Sequence, residues 1–143
     1  IVGRGSLKKR LVKQAKRLRI SSSVRIDSGM PFDKLAEEFR NADLVVYPSY
    51  YEGQGLIPLE AMASGTPVAT VNHGPLPEMV DDSVGALFTM ADTDSMSNAI
   101  LGLLNNPAGL ATRGTAGRER VLKNFTFGQN AEDFSQIYSQ LVN

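Results

Sequence analysis

The sequence predicts an α/β fold: a Rossmann-like parallel sheet with helices on both faces, ending in a helical segment. Three observations carry this. Short apolar runs of strand length, such as Leu44-Val45-Val46-Tyr47, alternate with amphipathic helical stretches. Those runs are apolar throughout, which suits strands buried on both faces. From Thr93 onward the periodicity is helical to the end of the chain.

The opening Ile1-Val2-Gly3 reads as the end of a strand. Leu7, Leu11, Ala15 and Leu18 recur at helical spacing and predict a helix over residues 6–19 with Ser6 as N-cap. Residues 24–27 predict a short strand closed by Gly29, and residues 31–40 a helix with Phe32, Leu35 and Phe39 on one face. The strand within residues 43–48 leads through a loop at 49–55 into a helix over 57–64, which Gly65 stops. A strand at 67–71, a helical turn at 75–80 and a strand at 85–88 follow. Helices over 93–104, 108–124 and 127–141 complete the chain, punctuated by Pro107 and Phe125-Thr126-Phe127.

Composition narrows the function classes. The chain of 143 residues is expected to form one domain, residues 1–143, with a core of ordinary size. It has no Cys, which excludes a disulfide scaffold, a thiolate metal site and a Cys nucleophile. Its single His, His73, excludes a multi-His metal site. No apolar run approaches membrane-spanning length, and no signal-peptide pattern opens the chain. The net charge of zero hides an asymmetry: residues 1–40 hold 11 Lys+Arg against 4 Asp+Glu, and residues 41–143 hold 4 against 11. Most of the basic excess lies between Arg4 and Arg19. The simplest reading is a solvated helix face; the sharper one is attraction to an anionic membrane surface or a polyphosphate. The basic stretch has no interleaved aromatics and no reader motif, so no nucleic-acid partner is expected.

Parallel sheets of this kind bind ligands beyond the carboxyl ends of their strands. The loop Ser49-Tyr50-Tyr51-Glu52-Gly53-Gln54-Gly55-Leu56 is the most informative of those places. Gly53 and Gly55 allow close backbone approach, and the following helix start offers free N–H groups and a positive dipole end. Together they suit an anion such as phosphate, although G-x-x-x-x-G-K-[ST] is absent. Gly3-Arg4-Gly5 is not a dinucleotide fingerprint, because Lys8 stands where its third Gly belongs. Glu52 and Glu60 stand eight residues apart in this stretch. Glu60, about one turn inside the helix, suits acceptance from two vicinal hydroxyls such as those of a ribose, and Glu52 could reach a sugar hydroxyl or the reacting centre. On spacing alone, solvated or capping roles fit them equally well.

The longer stretch says more. Pro48-Ser49, Glu52-Gly53-Gln54-Gly55-Leu56 and Leu59-Glu60-Ala61-Met62-Ala63-Ser64-Gly65-Thr66-Pro67-Val68 resemble the signature of retaining family-4 glycosyltransferases of the GT-B fold, also called glycosyl transferases group 1. In its E-x(7)-E motif the two Glu match Glu52 and Glu60. The resemblance continues through Gly74-Pro75-Leu76-Pro77-Glu78-Met79-Val80, Val84-Gly85-Ala86-Leu87-Phe88 and the closing amphipathic helix. Two departures stand out: Gln54 replaces a usual Phe, and Asn72-His73-Gly74 replaces a common Gly pair.

The resemblance implies the C-terminal half of a GT-B enzyme, which binds the nucleotide-diphosphate sugar donor. It implies that Glu60 binds the ribose and that Glu52 is the catalytic carboxylate beside the donor sugar and diphosphate. Gly53, Gln54, Gly55 and Leu56 would line the diphosphate, and Gly29, Met30 and Pro31 the base. Glu78 would support the neighbouring loop, and His73 is more simply a loop-packing residue than a substrate contact. No cofactor and no bound metal are expected. The family's Arg and Lys for the leaving group, the first strand and the acceptor domain are expected upstream of Ile1, so this chain alone is expected to be inactive. The implied acceptor is a glycan or lipid-linked molecule, as in polysaccharide assembly, in a cytoplasmic setting with peripheral contact at the membrane's cytoplasmic face. The alternative is a non-catalytic nucleotide-binding or scaffold module of the same fold. A GT-B epimerase fits the E-x(7)-E context less well.

Overall fold

A computed structural model describes residues 1–142. The chain divides into two units, Ile1–Leu35 and Ala36–Asn143. Its helices are α1 (Lys8–Arg17), α2 (Phe32–Asn41), α3 (Leu56–Ala63), α4 (Leu76–Met79), α5 (Thr93–Leu104), α6 (Pro107–Asn124) and α7 (Phe127–Leu141). Its strands are β1 (Val45–Tyr47), β2 (Val68–Val71) and β3 (Gly85–Phe88). No helix among the described residues is long and apolar enough to cross a membrane.

In the first unit, residues 24–27 do not form the expected strand. They contribute a single parallel bridge, Val2 with Asp27. Two backbone bonds hold it, Gly3 N–H to Asp27 O and Asp27 N–H to Ile1 O, both 2.9 Å. A pairing this short cannot propagate a ladder. A 3-10 turn at Ser21–Ser23 precedes it. Ser6 is not the N-cap of α1: Leu7 takes that position, with no side-chain cap bond. The helix ends in a Schellman pattern, with Arg19 N–H to Lys16 O and Ile20 N–H to Ala15 O, both 3.0 Å. Arg19 adopts φ +57° to make it. The expected apolar face of α2 is only partly used: Phe39 is buried and Leu35 half-buried, but Phe32, in the first turn, is 72% exposed.

The second unit is an α/β layer built on a three-stranded parallel sheet, order β1-β2-β3. Val45 pairs with Val68, and Val68 with Gly85. All four residues of the central β2 are buried. Successive strand side chains point to opposite faces, so both faces are covered. Ala69, Val71, Leu76, Phe88, Leu103 and Leu110 form the core, joining β2 and β3 to α4, α5 and α6. Helix α6 approaches α3 through glycines: a Cβ on Gly114 would lie 2.1 Å from Gly65 O, and one on Gly117 3.2 Å from Met62 Cγ. Gly65 ends α3 at φ +84°, donating to Met62 O at 2.9 Å while Thr66 N–H reaches Ala61 O at 3.0 Å. Polar side chains start the later helices: Asp92 caps α5, Asn106 caps α6 and Thr126 caps α7.

Candidate functional site: a braced glycine loop beside Glu60

Strand β1 ends at Tyr47, and the loop that follows folds back on it. The Tyr47 hydroxyl donates to Glu52 Oε2 at 2.5 Å, and the Gly55 N–H donates to Oε1 at 3.1 Å. Both oxygens of Glu52 therefore hold the loop closed. The Tyr47 hydroxyl is the main cause that keeps the Glu52 carboxyl below its ordinary value; burial opposes it, and the N–H groups of Gly55, Gln54 and Gly53 add to the lowering. The same contact works in reverse on Tyr47, whose pKa is raised by burial first and by Glu52 second.

Gly55 is the joint between loop and helix. It sits at the N-cap of α3 with φ +77° and ψ +42°, the left-handed region. A Cβ there would lie 3.0 Å from Leu76 Cδ2 and 3.1 Å from the Met79 side chain. The conformation aims the Gly55 N–H at Glu52, so that donor is engaged. The next two N–H groups, of Leu56 and Ile57, have no partner among the described residues. They are the unfilled donors of the helix start, where the dipole end is positive. On its other side the loop meets the turn after β2: a Cβ on Gly74, at φ +59°, would lie 3.8 Å from Glu52 O. His73 and Glu78 lie exposed in and beyond that turn.

Glu60 lies on α3, half-buried, and its carboxylate makes no hydrogen bond or ion pair among the described residues. It opens onto a groove of about 310 Å³ that Gln54 and Leu56 also line. Three of the residues singled out in the sequence thus share one concave surface. Gly53 stays exposed in the loop. Gly29, Met30 and Pro31 belong to the first unit, where Arg4 Nε donates to Ser28 O at 3.1 Å and Lys8 Nζ to Ser28 Oγ at 2.7 Å, anchoring the residue before Gly29. Gly29 itself has φ +115°.

Two features were missed in the sequence. One is Tyr47 as the brace of Glu52; its place at the last position of β1, five residues before Glu52, was the available signal. The other is the far wall of the groove, formed at the α6–α7 elbow by Asn124, Phe125, Thr126 and Asn130. Phe125-Thr126-Phe127 was legible only as a break between helices.

Comparison with known proteins agrees with this architecture. The fold is that of GT-B glycosyltransferases. A sucrose-phosphate synthase from Thermosynechococcus elongatus superposes with a TM-score of 0.85 at 32% identity, covering 99% of this chain and 37% of that one. The model of the glycosyl transferases group 1 family matches residues 1–120, and the chain belongs to that family. It is 35% identical over 127 residues to an MMP alpha-(1->4)-mannosyltransferase from Mycolicibacterium hassiacum, covering 87% of this chain and 31% of that protein. It also resembles S. aureus TarM, solved as a G117R mutant in complex with fondaparinux, alpha-GlcNAc-glycerol and UDP. That match has a TM-score of 0.83 at 28% identity, covering 96% of this chain and 28% of that one. The chain spans about a third of the length of the curated relatives it matches.

Proposed function

We propose that this chain forms the donor site of a retaining glycosyltransferase, which moves a sugar from a nucleotide-diphosphate sugar to a glycan or lipid-linked acceptor. One observation carries the reading. The Glu60 carboxylate, without a partner among the described residues, shares a groove with Gln54 and Leu56, at the start of a helix whose Leu56 and Ile57 N–H groups are likewise unfilled among them. A nucleoside diphosphate offers what those groups lack: vicinal ribose hydroxyls for Glu60 and anionic oxygens for the N–H groups. The UDP bound to the related TarM supports the ligand class.

Retaining transfer passes through an oxocarbenium-like state as the diphosphate leaves. The α3 N-terminus would stabilise the charge that grows on the leaving group. Glu52, already holding Tyr47 and Gly55, stays ionised near neutral pH beside the donor. No metal is required for any of these contacts. The test is thermal stabilisation of the chain by UDP, GDP and ADP, each with and without Mg²⁺. Stabilisation by one nucleotide irrespective of Mg²⁺ is expected. A cooperatively melting chain that none of the three stabilises would leave the non-catalytic module as the better reading.

A further inference from the structure

Between Arg40 and Arg113 the chain has no Lys or Arg, yet it carries eight Asp and Glu. That stretch holds β1, β2, β3 and the loops at their carboxyl ends. Beyond it on α6, Arg113, Arg118 and Arg120 are engaged with the carbonyls of Asp82, Ala63 and Met79. A diphosphate at the start of α3 would therefore meet backbone N–H groups and no cationic side chain of this stretch. It would also meet Glu52. Glu60 is matched by ribose hydroxyls; a second carboxylate beside an anion needs a different account.

Glu52 is not free to turn away. It is half-buried, its Oε2 accepts from the Tyr47 hydroxyl at 2.5 Å, and its Oε1 accepts from the Gly55 N–H at 3.1 Å. Gly55 is the N-cap of α3, so the carboxylate already occupies the first donor of the helix start. The next donor along the chain is the Leu56 N–H. A phosphate oxygen on it would stand about 5 Å from the carboxylate, because neighbouring Cα atoms are about 3.8 Å apart and each oxygen lies about 3 Å from its nitrogen. No ion pair neutralises Glu52 among the described residues.

A nucleotide sugar and the nucleotide it leaves behind differ in charge at this point. A phosphate esterified on both sides carries one negative charge, whereas a terminal phosphate carries close to two near neutral pH. Two like charges about 5 Å apart shift an equilibrium roughly fourfold at the permittivity of bulk water, and further where solvent is thinned. Resting on the donor-site reading, we infer that Glu52 is a charge filter. Its fixed carboxylate disfavours the bare nucleoside diphosphate relative to the nucleotide sugar, so that the spent nucleotide leaves and competes weakly with fresh donor. Tyr47 is the positioning residue that keeps the carboxylate against Gly55.

The experiment is calorimetric titration of the whole chain in metal-free buffer near neutral pH. The probes are UDP, GDP and ADP, with UDP-glucose, GDP-mannose and ADP-glucose as their sugar-bearing partners. In Glu52→Gln, the diphosphate that binds the parent should bind at least about fourfold more tightly, and the sugar nucleotide should gain less. In the parent, the advantage of the sugar nucleotide should shrink as salt rises, because the repulsion is screened. Tyr47→Phe removes the brace and keeps the charge, so it should not tighten the diphosphate. Glu119→Gln, the same change at an exposed position of α6 outside the loop and groove, should alter its affinity less than about twofold. Unchanged or weaker diphosphate binding in Glu52→Gln would make Glu52 a plain hydroxyl acceptor and overturn the inference. Equal tightening in Tyr47→Phe would trace the effect to a loosened loop and overturn it too, as would a parent preference indifferent to salt. In each of those cases the parent still binds nucleotide, and the donor-site reading stands. A folded parent chain that binds none of the six ligands would overturn that reading and the inference with it.

Discussion

Replacing Gly55 by alanine tests whether the glycine loop is fixed by backbone geometry. The native residue sits at φ +77° and ψ +42°. An L residue with a Cβ loses about 1–2 kcal/mol in that region. The added Cβ would also stand 3.0 Å from Leu76 Cδ2 and 3.1 Å from Met79 Cε and Sδ. Those are the ends of side chains, and Met yields readily, so crowding adds about 1 kcal/mol. The expected loss is about 2–3 kcal/mol, read by urea unfolding with linear extrapolation. The matched control is Gly53→Ala, where a Cβ would meet nothing within 4 Å and φ is not positive. That variant should change stability by less than about 0.5 kcal/mol. If the two substitutions have equal effects, or if Gly55→Ala is as mild as its control, the reasoning from backbone geometry is wrong.

Two further outcomes follow from the packing and charge of the second unit. Gly114→Ala places a Cβ 2.1 Å from the Gly65 carbonyl oxygen, a backbone atom that cannot turn aside. It should destabilise by about 3 kcal/mol in urea, whereas Gly102→Ala, with open space around it, should stabilise by about 0.5–1 kcal/mol. Asp81 accepts from Ser83 Oγ at 2.6 Å and from Arg120 Nη2 at 2.8 Å, and these contacts lower its pKa from 3.8 to about 2. A lowered folded-state pKa gives stability that is present above the unfolded value and is lost as pH falls from about 4 through 2. Because the side chain is 55% exposed, that contribution is about 1 kcal/mol. Asp81→Asn should lower the urea midpoint at pH 6, and the gap to the parent should close by about pH 2.

The sequence revealed the second unit better than the first. Strands β1, β2 and β3 announce themselves as short runs of apolar residues in which Thr70 is the one polar side chain, and β2, buried along its whole length, is the clearest of them. Residues 24–27, Val-Arg-Ile-Asp, alternate apolar and charged side chains, yet they form one bridge, since a strand exists only with a neighbour to pair with. Ser6 matched a capping pattern, but the chain enters α1 through a turn that puts Leu7 at the cap. At the candidate site, Gln54, Leu56 and Glu60 were legible because a contiguous motif places them on one loop and helix. The α6–α7 elbow was not, because its approach to Glu60 spans more than sixty residues of chain and depends on Gly114 and Gly117 letting α6 close on α3. Tyr47 looked like one more buried strand residue until its hydroxyl was seen to hold Glu52.

Calorimetric titration of UDP, GDP and ADP into the chain and its Glu60→Ala variant addresses the donor-site reading most directly. Hydrogen bonds to a charged group contribute about 1.5–3 kcal/mol. The account predicts that one nucleotide binds the parent chain and that the variant binds it roughly tenfold to a hundredfold more weakly. Equal affinity in parent and variant, or no binding of any of the three to a folded chain, would contradict it.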